Sequence, residues 1–167
     1  MKLFNLFSLM ALTCVSVLSA QTASPSPDRW QDISFLFGDW EGQGQGATGA
    51  SQGSFSFHPQ LNGQIVVRQN QANYAGNSRH DDLLVIYAET ADQPLHAIYF
   101  DSEGHVIHYR ASARPKAVVF DSESDQAGPR YRLSYELTNE SLTGKFEIAP
   151  PKSQEYKVYL TWTAVKK

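Results

Sequence analysis

Gly38-Asp39-Trp40-Glu41-Gly42-Gln43-Gly44-Gln45-Gly46 is the stretch on which the fold turns. Strand residues two apart share a face, so Trp40 heads a stripe continued by Gly42, Gly44 and Gly46. Glu41, Gln43 and Gln45 hold the other face, a strict alternation that a flexible glycine-rich loop has no reason to keep. Glycine weakens an isolated strand. Three in register therefore point to a geometric demand, either close approach of another backbone or ligand, or the sharp coil of a small closed barrel.

Outward from this stretch the chain divides into short period-two segments. Strands are predicted near 39–46, 53–58, 63–74, 82–90, 95–101, 105–112, 116–121, 129–138, 142–149 and 155–165. Before them, Asp28 to Phe37 predicts a helical turn or 3₁₀ segment, with Asp28 as its cap and Trp30, Ile33 and Phe37 recurring on one side. About ten strands at even spacing with almost no helix mean a sandwich or a barrel. The connections choose between them. Asp101-Ser102-Glu103-Gly104 has the Asp-first, Gly-fourth pattern of a type I turn closing a hairpin through a glycine bulge. Leu61-Asn62-Gly63 and Thr138-Asn139-Glu140-Ser141 are equally short, and no long crossing connection separates any two strands. The predicted fold is all-β: an antiparallel up-and-down (meander) barrel of about ten strands with a short N-terminal helical plug, closed so that no edge is left open.

A helical lead-in, then Gly-x-Trp-x-Gly-x-Gly-x-Gly, then strands to the end resembles the calycin group. It is similar in particular to nitrobindin-like barrels and to an uncharacterised family of secreted bacterial proteins with a lipocalin-like barrel. Leu61-Asn62-Gly63-Gln64 before a polar strand, and Asp101-Ser102-Glu103-Gly104 between two aromatic-bearing strands, add to the likeness, which spans most of residues 30–165. The resemblance implies a calycin-like domain over 28–167 that binds a small molecule, with Trp40 plugging one end and a lumen open at the other. In the nitrobindin branch it also implies haem held by a histidine near the C-terminal strand. Here the chain departs from the pattern, because no histidine follows His108, and Tyr156 or Tyr159 would have to serve instead. No haem or other cofactor is expected.

Residues 1–20 are expected to be a signal peptide: one charge at Lys2, an apolar run, and the small-residue site Leu18-Ser19-Ala20. Cys14 lies inside that run and not at its end, which argues against lipidation. Residues 21–27 are expected to be a linker. The single cysteine falls within the signal, so the mature chain would be secreted, periplasmic or extracellular, without a disulfide. The formal net charge is −3 and the basic residues are scattered, which excludes a nucleic-acid footprint and gives no reason for membrane binding after signal cleavage.

Candidate chemistry is sparse. The glycine bulge pairs Asp101 with His105 and Ile98 with His108. That places His96 and His108 as diagonal neighbours on an outer face, with Leu95, Ala97, Tyr99, Ile107, Tyr109 and Ala111 inside. Two such histidines lack the further ligands a zinc site needs, so no metal is expected. Asp121-Ser122-Glu123-Ser124-Asp125 begins like a calcium loop, but Gln126 and Arg132 replace its essential glycine and glutamate. Ser78 with His80-Asp81-Asp82 gathers triad residue types, yet adjacent residues seldom converge in triad geometry and no nucleophile elbow exists. Asn139-Glu140-Ser141 matches a glycosylation acceptor but is first a turn.

The lumen is the better prospect. Alternation assigns Trp40, Phe55, Phe57, Tyr87 and Tyr99 to its lining from the first half, and Tyr109, Tyr135 and Trp162 from the second. In the long strand Ile65 to Tyr74 the second half is polar on both faces. Gln69, with Gln71, would bring fixed hydrogen bonds if that face turns inward. Apolar walls with a few polar groups describe a ligand pocket. The sequence thus predicts a non-enzymatic barrel binding a small, partly apolar molecule, with an envelope structural or protein-interaction module as the alternative. No paired carboxylates at credible spacing favour a hydrolase.

Overall fold

The computed structural model describes residues 27–76, 78–90, 93–123 and 127–167, the side chains of residues 27 and 28 excepted. The expected signal peptide, most of the linker, the Asp28 cap and positions 124 and 125 of the acidic loop lie outside the described residues. A 3₁₀ segment, Pro27–Leu36, precedes ten strands: β1 Gly38–Gly46, β2 Gly49–Gln60, β3 Ile65–Tyr74, β4 Arg79–Tyr87, β5 His96–Asp101, β6 Val106–Arg114, β7 Ala117–Ser122, β8 Arg130–Thr138, β9 Ser141–Ala149 and β10 Lys157–Lys166. Each strand pairs antiparallel with the next, and β10 returns to pair with β1, closing the barrel. All ten expected strands are present. The largest difference is at β2, which starts four residues earlier than the alternation suggested; β4 starts three residues earlier and thereby takes in His80.

One end of the barrel is closed by the lead-in. With three residues per turn, a 3₁₀ segment aligns every third side chain, and Trp30, Ile33 and Leu36 are the residues it buries. Phe37, the expected third member of the stripe, is instead half-buried at the end of the segment. Trp30 Nε1 donates to Gly63 O at 2.8 Å, tying the plug to the β2–β3 turn. Trp40 Nε1 donates to Leu36 O at 2.7 Å, so the first inward side chain of β1 is fixed to the plug as well. Above it Phe55 stacks at 6.3 Å, and Phe57 and Tyr135 meet edge to face at 5.4 Å. The floor is solid aromatic packing.

The glycines answer to contacts, as the opening stretch suggested. A β carbon on Gly46 would strike the carbonyl of Tyr159, and one on Gly53 that of Gln71. The β9–β10 register slips between Val158 and Leu160, and this bulge delivers the Tyr159 carbonyl to Gly46 and to the Ala47 N–H at 2.9 Å. Bulges increase local coil, so β1 and β10 cross closely where the wall curves hardest. Gly144 plays a different part: the Trp162 indole lies where its β carbon would be, which lets that ring fold flat against β9.

Candidate functional site

The end opposite the plug opens into a cavity of about 590 Å³. Its rim is formed by the β1–β2, β3–β4 and β5–β6 turns and the starts of β8 and β10. A second hollow of about 630 Å³ lies on the outer surface over β1, β2 and β10, walled by Glu41, Gln43 and Gln52. Apart from Ala164 and Val165 its lining is polar or glycine, and Glu41 is its one titratable residue, so the lumen is the site with chemistry.

Four of the predicted lining residues, Phe55, Tyr99, Tyr109 and Trp162, do border the cavity. Trp40, Phe57 and Tyr135 point inward too, but are packed in the floor beneath it. Two assignments are corrected. Gln69 is exposed on the outside, because β3 buries Val66 and Arg68 and so turns the even-numbered residues inward. Tyr87 pairs with His96 and stacks on it at 5.8 Å on the outer face, while Leu84 and Ile86 take the inner positions. The hairpin reading holds: Ile98 pairs with His108, Gly104 has φ +91°, and His96 and His108 lie on the outer face opposite Ala97 and Tyr109.

The inward phase of β3 and β4 brings in residues that sequence reasoning passed over. Arg68 is 5% exposed and Asp82 7%, and Arg68 Nη1 donates to Asp82 Oδ1 at 2.7 Å. Asn70 Nδ2 donates to the other oxygen at 2.8 Å, and His80 Nε2 lies 3.3 Å from it. His80 also contacts the Tyr99 hydroxyl at 3.0 Å and, through Nδ1, Glu103 at 3.1 Å. Their spacing does not suit a triad, yet at i and i+2 His80 and Asp82 share the inner face. The available signal was that spacing, since Asp82 lies in phase with Leu84 and Ile86.

Electrostatics follow from the contacts. The bond to Asp82 is the main force raising the His80 pKa to about 9, against partial burial, with Glu103 helping. The imidazole is therefore a cation at neutral pH. Burial opposes the Arg68 charge, but Asp82 and neighbouring tyrosines more than offset it, and its pKa is raised. Burial, then Asp82 and Asp101, push the Tyr99 hydroxyl far up, and burial does the same to Tyr109; both stay protonated and can donate. Burial works to raise Asp101, but the backbone N–H groups of His105 and Glu103 and the His105 ring hold it below the ordinary carboxylate value. Ligand atoms of His80, Asp101 and Glu103 come within 4.8 Å of one another, a grouping not foreseen from sequence. There the imidazolium already supplies the positive charge a cation would bring.

No family model and no curated protein matches this chain. Among solved structures, the chain is similar to a de novo designed fluorescence-activating β-barrel, at 9% identity and a TM-score of 0.45, covering 80% of this chain and 94% of that one. It is likewise similar to EF1p2_mFAP2b, whose structure is bound to DFHBI, at 12% identity and a TM-score of 0.45, covering 80% and 94%. A redesigned barrel, b11L5F_LGL, follows at 12% identity and a TM-score of 0.44. What those barrels hold says nothing of this lumen.

Proposed function

We propose that the protein is a secreted, non-enzymatic barrel of calycin type that holds a small, partly apolar molecule in its lumen. One observation carries the reading: a cavity of about 590 Å³ whose aromatic and aliphatic walls surround a buried Arg68–Asp82 pair. A barrel stabilised only for its own sake would fill such a space with side chains. Burying an ion pair beside it adds desolvation that hydrophobic residues of similar volume would avoid. Ligand sites in proteins have this make-up, apolar walls with few fixed polar groups, and this size.

The non-enzymatic part of the proposal rests on the saturation of the polar cluster. Asp82 and His80 are bonded to each other and to Arg68, Asn70, Tyr99 and Glu103, which suits positioning better than proton transfer. The same saturation argues against haem: to reach iron, His80 Nε2 would have to give up its proton and its contacts with Asp82 and Tyr99. Secretion rests on the apolar run closing at Leu18-Ser19-Ala20, with the mature chain starting near Gln21. Native mass spectrometry of protein purified from its own host tests the reading. A retained molecule appears as added mass that organic extraction removes. Protein that carries no added mass and also takes up no neutral lumen dye refutes it.

A further inference from the structure

We infer that the ligand enters head first with an oxygen-acceptor group, a single carboxylate on an apolar body, which docks on Arg68 and Trp162. The inference rests on the lumen-binding reading and adds to it the chemistry of the molecule bound. Donors and acceptors at the lumen floor do not balance. Asp82 is fully served, by Arg68 at 2.7 Å, by Asn70 at 2.8 Å, and by His80 at 3.3 Å. Arg68 is not: a guanidinium carries five N–H donors, and its Nε is buried with no partner among the described residues. The Nε1 of Trp162 and the hydroxyl of Tyr135 are buried and unpartnered as well. The fourth such atom, Arg29 Nε, belongs to the plug at the other end.

The three side chains are linked through aromatic contacts. The Arg68 guanidinium carbon lies 5.7 Å from the Phe55 ring centre and 5.9 Å from that of Tyr135, and Tyr135 meets Trp162 edge to face at 5.6 Å. Arginine and tryptophan can only donate, so what completes them is an acceptor. Buried donors are costly to leave unmade; Arg68 and Trp162 both line the cavity, so an entering group that supplies lone pairs would satisfy them. Charge agrees. Arg68 carries a fixed positive charge, while the His80 cation is matched by Asp82 and Glu103. Carboxylates are bound most strongly by such charged donors.

The walls limit the rest of the molecule. Tyr131 and Phe146 stack at 5.9 Å beside the cavity, and with Ile107 they offer an apolar channel to the mouth. At the mouth stand Asp101 and Glu103, which would repel a second negative end. This favours a monocarboxylate over a dicarboxylate or a phosphate ester.

The test uses the intact mature protein, Nile red as a neutral lumen probe, and decanoate, decanol and decylamine as competitors of one chain length. Decanoate should displace the dye at about one-tenth the concentration that decanol needs, the ratio expected of one charge-assisted hydrogen bond, and decylamine should be weakest. In Trp162→Phe, which keeps a ring over Gly144, the decanoate advantage should shrink several-fold with decanol unchanged. Arg68→Gln should abolish it, and the Trp162 variant decides alone if that protein does not fold. If the dye binds but decanoate and decanol compete equally, the inference is overturned while lumen binding stands. If neither dye nor any competitor binds, the lumen reading itself fails.

Discussion

Asp82→Leu should be the more damaging half of an unequal pair. Removing Asp82 leaves Arg68 buried at 5% exposure, with its Nη1 bond gone and its Nε already unpartnered. Arginine cannot shed its proton to escape, because a guanidinium stays charged in proteins. Breaking a buried ion pair from one side costs about 3–5 kcal/mol. For a domain of this length each kcal/mol moves the melting midpoint by about 3 °C, so Asp82→Leu should lower it by about 12 °C. Arg68→Met is gentler. It leaves Asp82 with Asn70 and the His80 cation, and a carboxylate can take up a proton, so a loss of about 2 kcal/mol is expected. The double variant should be less destabilised than the sum of the singles by about 2 kcal/mol, because it strands no charge. Urea and thermal unfolding at pH 7, with m-values checked for constancy, measure all three. Equal single losses, or additive ones, would refute the assignment of Arg68 as the dependent partner.

Gly144→Ala places a β carbon inside the Trp162 indole; such overpacking should cost about 1–3 kcal/mol in chemical unfolding, and Gly144→Ala/Trp162→Leu should recover most of it. Trp40→Ala removes the floor ring and its bond to Leu36 O and should cost about 3–5 kcal/mol; a midpoint that hardly moves would mean the plug does not close the barrel. The His80 pKa rises on folding from 6.5 to about 9, so its contribution is complete below about pH 6.5 and disappears as pH climbs through 9. Stability should therefore decline between those values, and His80→Gln should flatten that part of the profile.

Local chemistry carried the fold. Turn residues and alternation are properties of a few neighbouring positions, so ten strands, the Asp101–Gly104 bulge and the inward start of β1 at Trp40 could be read along the chain. The glycines at 42, 44 and 46 signalled a tight crossing before their neighbours could be named, the Tyr159 carbonyl for Gly46 among them. The inner face of β3 and β4 was not legible for the same physical reason. Leu83 to Tyr87 is apolar at every position, and Gln69 to Asn73 is polar at nearly every position, so neither run marks which parity looks inward. A slip of one residue exchanges the faces completely. Only ladder pairing around the closed barrel selects Arg68, Asn70, His80 and Asp82 for the lumen and sends Gln69 and Tyr87 outside. Their meeting also spans distances the sequence cannot measure: His80 and Glu103 lie 23 positions apart yet 3.1 Å from each other. The chain by itself determined that a barrel would form and where its floor lies; closure decided which charges it would bury, because burial belongs to a face and the face is set by partners across the sheet.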